Sequence, residues 1–189
     1  MKHDAADLQR VFAEQLAALG QALDSIGAEF MLIGGLAVGV WAEPRATKDC
    51  DLSVRAEVTA AAIHSALDRA GLEVLRGDLD RAHANGEAIR LQRKGVGEEP
   101  VVVDLLFAST AFEIDALRRR TPLRVLGIQV PVASPEDLFV FKLIAGRPQD
   151  LADAHRLCAL HGAEFDWERV RGWCREFGVA ERLAAFDPP

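Results

Sequence analysis

Long apolar runs are missing from this 189-residue chain. The longest, Phe30 to Ala42, holds thirteen residues, three of them glycine. A helix that crosses a bilayer needs about 20 apolar residues, so a membrane span is excluded. Met1-Lys2-His3-Asp4 opens no apolar stretch of the signal-peptide kind, which sets the expectation of a cytoplasmic protein. Cysteine is scarce. Cys50, Cys158 and Cys174 make an odd count with no CxxC pair, so neither a disulfide framework nor a zinc knuckle fits. A reduced compartment is the expected setting. Lysine is scarce too: Lys2, Lys48, Lys94 and Lys142 stand among 22 basic residues, the rest Arg, a skew that says little about function. Positive charge is in deficit, 22 basic against 29 acidic residues, for a net charge of −7. That argues against passive, charge-driven binding to DNA or RNA. It leaves a nucleotide substrate open where metal ions or a few placed cations handle the phosphates.

What is present is enough for a folded core. Half the residues are hydrophobic, and the length suits one domain or a core with a small appendage. Leu8, Val11, Phe12, Leu16, Leu19, Leu23 and Ile26 recur at helical spacing, and Gly27 follows as a stop. Glu29 to Ile33 reads as a short buried strand, broken by Gly34-Gly35, with a short helix over Leu36 to Trp41. A loop from Glu43 to Lys48 leads into a strand ending at Val54. Thr59 to Ala70 is helical. Leu72 to Leu75, Ala88 to Gln92 and Val101 to Phe107 are strands, the last two joined by a turn over Gly95 to Pro100, and Leu123 to Val132 is a hairpin. Ser134-Pro135-Glu136-Asp137 then starts a helix, with Ser as N-cap and Pro first inside it. Helices are predicted over about 134–145, 148–161 and 166–177, with a short tail. The expected fold class is α+β: a small mixed β-sheet core flanked by helices over residues 1–133, and a C-terminal helical part over 134–189.

Three features carry chemistry. Ile33-Gly34-Gly35-Leu36 places a glycine pair between a strand and a helix start. Such a turn lets the backbone approach a phosphate closely and aims free amides at it, although an isolated Gly-Gly is more often only a tight turn. Asp49-Cys50-Asp51-Leu52 puts two carboxylates on one face of a strand, Cα atoms about 6–7 Å apart. Carboxylates that close repel unless a cation lies between them, and they suit Mg²⁺. A lone Asp-x-Asp is otherwise a solvated polar face. Val101 to Phe107 is an apolar run interrupted by Asp104. A carboxylate there is costly without a partner: an arginine, a backbone amide or a metal.

Together, hydrophobic-Gly-Gly, thirteen residues, Asp-x-Asp and then a distant strand aspartate resemble the active-site signature of the nucleotidyltransferase superfamily founded on DNA polymerase beta. Arg45-Ala46-Thr47-Lys48-Asp49-Cys50-Asp51, and later Lys142 followed by Arg147-Pro148-Gln149-Asp150-Leu151-Ala152-Asp153, are similar to motifs of small bacterial nucleotidyltransferases of abortive-infection and type IV toxin–antitoxin systems. The resemblance spans roughly residues 28 to 160. It implies transfer of a nucleoside monophosphate from an NTP to an acceptor hydroxyl on a tRNA, a protein or a small molecule. It further implies two Mg²⁺ ions, with Mn²⁺ as a substitute, on Asp49, Asp51 and Asp104. Asp104 would also accept the hydroxyl proton. Gly34, Gly35, Arg45, Thr47, Lys48 and Lys142 would bind the nucleotide, with Arg147, Asp150 and Asp153 as further candidates, and an antitoxin protein would be the partner. Many relatives carry Ser where this chain has Gly35, which offers backbone only.

Some residues have a structural reading as well. Pro148 and Asp150 suit a helix start, and Asp153 has Arg147 or Arg156 within reach. Lys142, in a largely apolar helix, either snorkels to solvent or reaches a phosphate. Arg118-Arg119-Arg120 reads as a solvated helix end. The histidines His64, His83, His155 and His161 share no ligand spacing and are expected on surfaces. Trp167 and Trp173 are read as packing residues, as is Trp41, with nucleotide contact as its second reading. Two other functions compete: a non-catalytic binding module of the same fold, and a metal-dependent phosphohydrolase. Intact carboxylates argue against the first, and the absence of histidine ligands near Asp49 or Asp104 argues against the second.

Overall fold

The computed structural model describes residues 5–43, 47, 49–55, 57–94 and 102–186. In chain order the elements are α1 (Ala5–Asp24), β1 (Phe30–Ile33), α2 (Gly34–Trp41), β2 (Asp49–Arg55), α3 (Ala60–Arg69), β3 (Leu72–Arg76), α4 (Leu79–Asn85), β4 (Ala88–Arg93), β5 (Val102–Ala108), α5 (Ala111–Arg119), β6 (Thr121–Val125), β7 (Ile128–Val132), α6 (Pro135–Ala145), α7 (Pro148–His161), α8 (Trp167–Glu176) and α9 (Ala180–Ala184). The strands form one mixed sheet of seven, in the order β3-β4-β5-β2-β1-β7-β6. β2 runs parallel to β5 and antiparallel to β1. This is the α+β architecture the element order predicts.

The core lies on the central strands. All four residues of β1 are buried. In β2 and β5 the apolar side chains Cys50, Leu52, Val54, Val103, Leu105 and Phe107 are buried. Strand side chains alternate between faces, so Asp49, Asp51 and Asp104 share the opposite one. The helix starts follow local chemistry. Ser134 caps α6 by accepting from the Asp137 amide, with Pro135 first inside. Thr110 and Glu113 form a full capping box on α5. Gly146 ends α6 in the left-handed region at φ 65°. Among the described residues, no helix is long and apolar enough to cross a membrane.

Several expectations need correction. α4 and α5 are helices where none was expected, and α2 begins at Gly34 rather than Leu36. The arginine run does end a helix, yet it is not simply solvated. Arg119 pairs with Asp115 and the buried Asp137, and Arg120 reaches Glu29 at 3.2 Å. His83 and His161 are half-buried, contacting the backbone carbonyls of Val58 and Trp41. The tryptophans pack as expected. Trp167 meets Phe139 and Phe165, and Trp173 meets Phe112. Trp41 donates its indole N–H to the Ala133 carbonyl at 2.9 Å.

Candidate active site

Strand register builds the acidic cluster. Asp51 on β2 stands directly opposite Asp104 on β5, and Asp49 precedes Asp51 by one same-face step. The row extends across the sheet. Arg90 on β4 is opposite Asp104, and Arg76 on β3 is opposite Arg90. Four neighbouring strands therefore carry Arg76, Arg90, Asp104 and Asp51 in line. A bulge in β3 between Val74 and Arg76 puts Arg76, rather than Leu75, in that row.

Asp51 is the strained member. Its carboxyl is pushed up to about 6, first by burial, then by the charges of Asp104 and Asp49; Lys142 and a hydrogen bond from the Gly35 amide oppose the rise. Cys50, between the two aspartates in sequence, lies on the buried face. Burial and the neighbouring carboxylates raise its thiol far above the usual range, so it is no nucleophile.

The glycine turn is shaped around Asp51. Gly34 has φ +70°, and a Cβ built on it would lie 2.6 Å from Asp51 Cγ. Only glycine serves here, for both backbone and space. The N-cap position of α2, Ile33, offers no side-chain cap, and the Gly35 amide in the first turn donates to Asp51 instead. Gly34→Ala is expected to cost at least about 1–2 kcal/mol and to displace Asp51. Urea unfolding measures it, and a variant as stable as the wild type would refute this account of the turn.

Asp104 is only half-buried, with a side chain 25% exposed, yet it has the arginine partner that was expected. Arg90 Nε and Nη2 reach its two oxygens at 2.8 and 2.6 Å, a bidentate pair, and Nη2 lies 3.9 Å from Asp49 Oδ1. Arg90 was not anticipated as a site residue.

Lys142 does not snorkel. Its side chain is 7% exposed, and Nζ lies 2.9 Å from Asp150 and 3.1 Å from Asp153, which are 2% and 0% exposed. Arg147 forks onto Asp150, Nε at 2.5 Å and Nη2 at 3.2 Å, and Arg156 reaches Asp153 at 3.4 Å. Burial works to raise the Asp150 carboxyl, but Arg147 and Lys142 outweigh it and hold it below the usual range. The C-terminal motif thus folds into a charge cluster binding α6 to α7, beside the acidic row.

Two cavities meet at Ile33, Asp51, Arg90 and Asp104. One, of about 460 Å³, is lined further by Gly34, Gly35, Thr47, Asp49, Lys142, Arg147 and Asp150. It gathers most of the candidate residues. The other, of about 490 Å³, adds Arg76 and Arg81 and no further carboxylate. Thr47 is tied to the chain by a bond from its hydroxyl to the Asp49 carbonyl at 3.2 Å. Asp153 lies behind, reached through Lys142. Arg45 and Lys48 lie outside the described residues.

The donor set suits a hard divalent cation. Three carboxylates share one sheet face, and burial, then the charges of Asp104 and Asp49, leave the Asp51 carboxylate short of a counter-charge. As arranged, no three His, Cys, Asp or Glu side chains among the described residues are gathered closely enough to hold an ion. Asp51 is turned to the Gly35 amide and Asp104 to Arg90.

Comparison with known proteins bears on the family and the fold. Residues 17–186 match the model of the family described as nucleotidyl transferase AbiEii toxin, type IV TA system. A search of the curated proteins finds no match. Among solved structures, the antibiotic-resistance factor ANT(2'')-Ia superposes with a TM-score of 0.63 at 15% identity, over 95% of this chain and 96% of that one. The lincosamide antibiotic adenylyltransferase LnuA gives 0.52 at 16% identity, over 78% and 96%. An antigenic nucleotidyltransferase-like protein from Paracoccidioides brasiliensis gives 0.51 at 21% identity, over 82% and 77%. At these identities the likeness is one of fold.

Proposed function

The chain belongs to the AbiEii nucleotidyl transferase toxin family of type IV toxin–antitoxin systems, and from that premise we propose that it moves a nucleoside monophosphate from an NTP to an acceptor hydroxyl at the Asp49–Asp51–Asp104 cluster, under control of a cognate antitoxin. The observation that carries the reading is the in-register row of Asp51 and Asp104 beneath the glycine turn. Two Mg²⁺ ions, or Mn²⁺ in their place, would be held by Asp49, Asp51 and Asp104, neutralising the phosphates and lowering the pKa of the acceptor hydroxyl.

The chain's own residues supply the rest. The backbone at Gly34 and Gly35 would cradle the triphosphate, the Gly35 amide once Asp51 turns from it to a cation, with Thr47 on the same cavity wall. Lys142 and Arg147 add positive charge there, as would Arg45 and Lys48, which precede β2 in the sequence. Asp150 and Asp153 position Lys142. Asp104 lines both cavities and, with an oxygen freed from Arg90, would accept the proton of a hydroxyl arriving from the second. The charged residues that the second cavity adds, Arg76 and Arg81, are both cations, which suits a phosphate-bearing acceptor such as an RNA end better than a polycationic antibiotic. Residues 1–133 would form the catalytic core, and 134–189 the helical part that walls the nucleotide cavity.

The test uses labelled NTPs with Mg²⁺ and, separately, total RNA, lysate protein or an aminoglycoside, beside an Asp49→Ala/Asp51→Ala control. Label transfer with release of pyrophosphate, lost in the control, is the expected result. Release of inorganic phosphate would indicate hydrolysis instead. NTP binding without turnover would indicate a non-catalytic module.

A further inference from the structure

Arg90 holds Asp104 by the bond geometry that makes arginine–carboxylate pairs strong. Its planar fork spans both oxygens, and a second carboxylate, Asp49, lies 3.9 Å away. The ladder enforces this, because β4 and β5 place residues 90 and 104 directly opposite. Both oxygens of Asp104 are engaged, and Asp104 faces Arg90 instead of joining Asp49 and Asp51 about a common point. A guanidinium and a divalent cation on one carboxylate repel each other strongly at such range.

We propose that Arg90 is a resident counter-ion that exchanges with the metal: it neutralises Asp104 until a divalent cation arrives, and metal binding must displace it. The inference rests on the reading of Asp49, Asp51 and Asp104 as metal ligands. Arg90 lines both cavities, so the displaced guanidinium has the second one, beside Arg76 and Arg81, to turn into. Arg90 is a positioning residue. It sets the direction of a carboxylate and the threshold at which that carboxylate takes a metal.

The experiment is a titration of Mn²⁺ into the full chain, followed by the loss of the free-ion electron paramagnetic resonance signal, with no NTP present. Thermal unfolding in EDTA is measured alongside. Arg90→Gln is expected to bind Mn²⁺ about tenfold more tightly than the wild type and to melt several degrees lower in EDTA. Arg76→Gln removes the same charge one strand further along the row without touching a carboxylate, and should change Mn²⁺ affinity less than about twofold. Arg90→Lys keeps a charge but loses the fork. It should fall between wild type and Arg90→Gln, and it serves if the glutamine variant does not fold. If wild type binds Mn²⁺ and the Arg90 variants bind it no more tightly, the exchange is overturned while the metal site stands. Equal tightening by Arg76→Gln reduces the effect to net charge and overturns it too. If no form binds Mn²⁺, the metal reading falls and the exchange with it.

Discussion

Asp51→Asn is expected to abolish nucleotidyl transfer and, in chelator at neutral pH, to make the protein more stable. Both effects come from one carboxylate in a place that suits it only with a cation. Burial, then Asp104 and Asp49, raise its carboxyl from 3.8 to about 6. The folded state therefore binds the proton more tightly than the unfolded one. The resulting stability is fully present below pH 3.8 and is lost as pH rises through about 6. At pH 7 the ionised Asp51 costs on the order of 3 kcal/mol, which asparagine escapes while its carbonyl still accepts from the Gly35 amide. Urea unfolding in EDTA from pH 4 to 8 checks this. The wild type should lose stability through that window, by about 1.4 kcal/mol per pH unit at the steepest, relative to the variant. Parallel profiles would refute it. Transfer should fall by at least about a thousandfold in the same variant, the scale of losing a principal electrostatic contact to the reacting phosphate.

Lys142→Met should act in the opposite direction on stability. Two carboxylates, Asp150 and Asp153, are buried against the ammonium. Removing one member of a buried ion cluster costs about 3–5 kcal/mol, because the remaining charge stays buried without its partner. Arg147 and Arg156 stay in contact and moderate the loss, so about 3 kcal/mol is expected, or a fall in Tm of roughly 10 °C. The double variant Lys142→Met/Asp153→Asn should recover part of it. A single variant within 1 kcal/mol of the wild type would mean that the cluster contributes little, leaving phosphate contact as the reason for a lysine there. Chemical denaturation separates that from activity, which should fall in both variants.

These two residues also mark how far sequence reading reaches. The acidic row is legible because strand alternation is a short-range rule: Asp49 and Asp51 share a face whatever lies beside them. The glycine turn is legible for the same reason. The neighbours across strands are not local. Arg90 lies in an unremarkable alternation, Ile89-Arg90-Leu91-Gln92, that any half-buried strand would show. A signal did exist. The paired residues of β4 and β5 are centred on position 97, within the turn expected over Gly95 to Pro100, a stretch outside the described residues. The helices α4 and α5 escaped because they are short, seven and nine residues, with too few turns for periodicity to speak. The capping box of Thr110 and Glu113 is the clue that marks α5. Lys142 illustrates the other limit. Its two partners lie on the next helix, eight and eleven positions away, and only the fold of α6 against α7 brings them together.

The bulge in β3 has a consequence for how such a protein can diversify. β3 is the outermost strand of the sheet, so its spacing is free to change without disturbing the strands that hold the aspartates. One residue more or less there decides whether an arginine or a leucine stands beside Arg90. On the proposed reading, chemistry and choice of acceptor would be written on different parts of the sheet, the first locked in its middle and the second at a margin where a single insertion rewrites it.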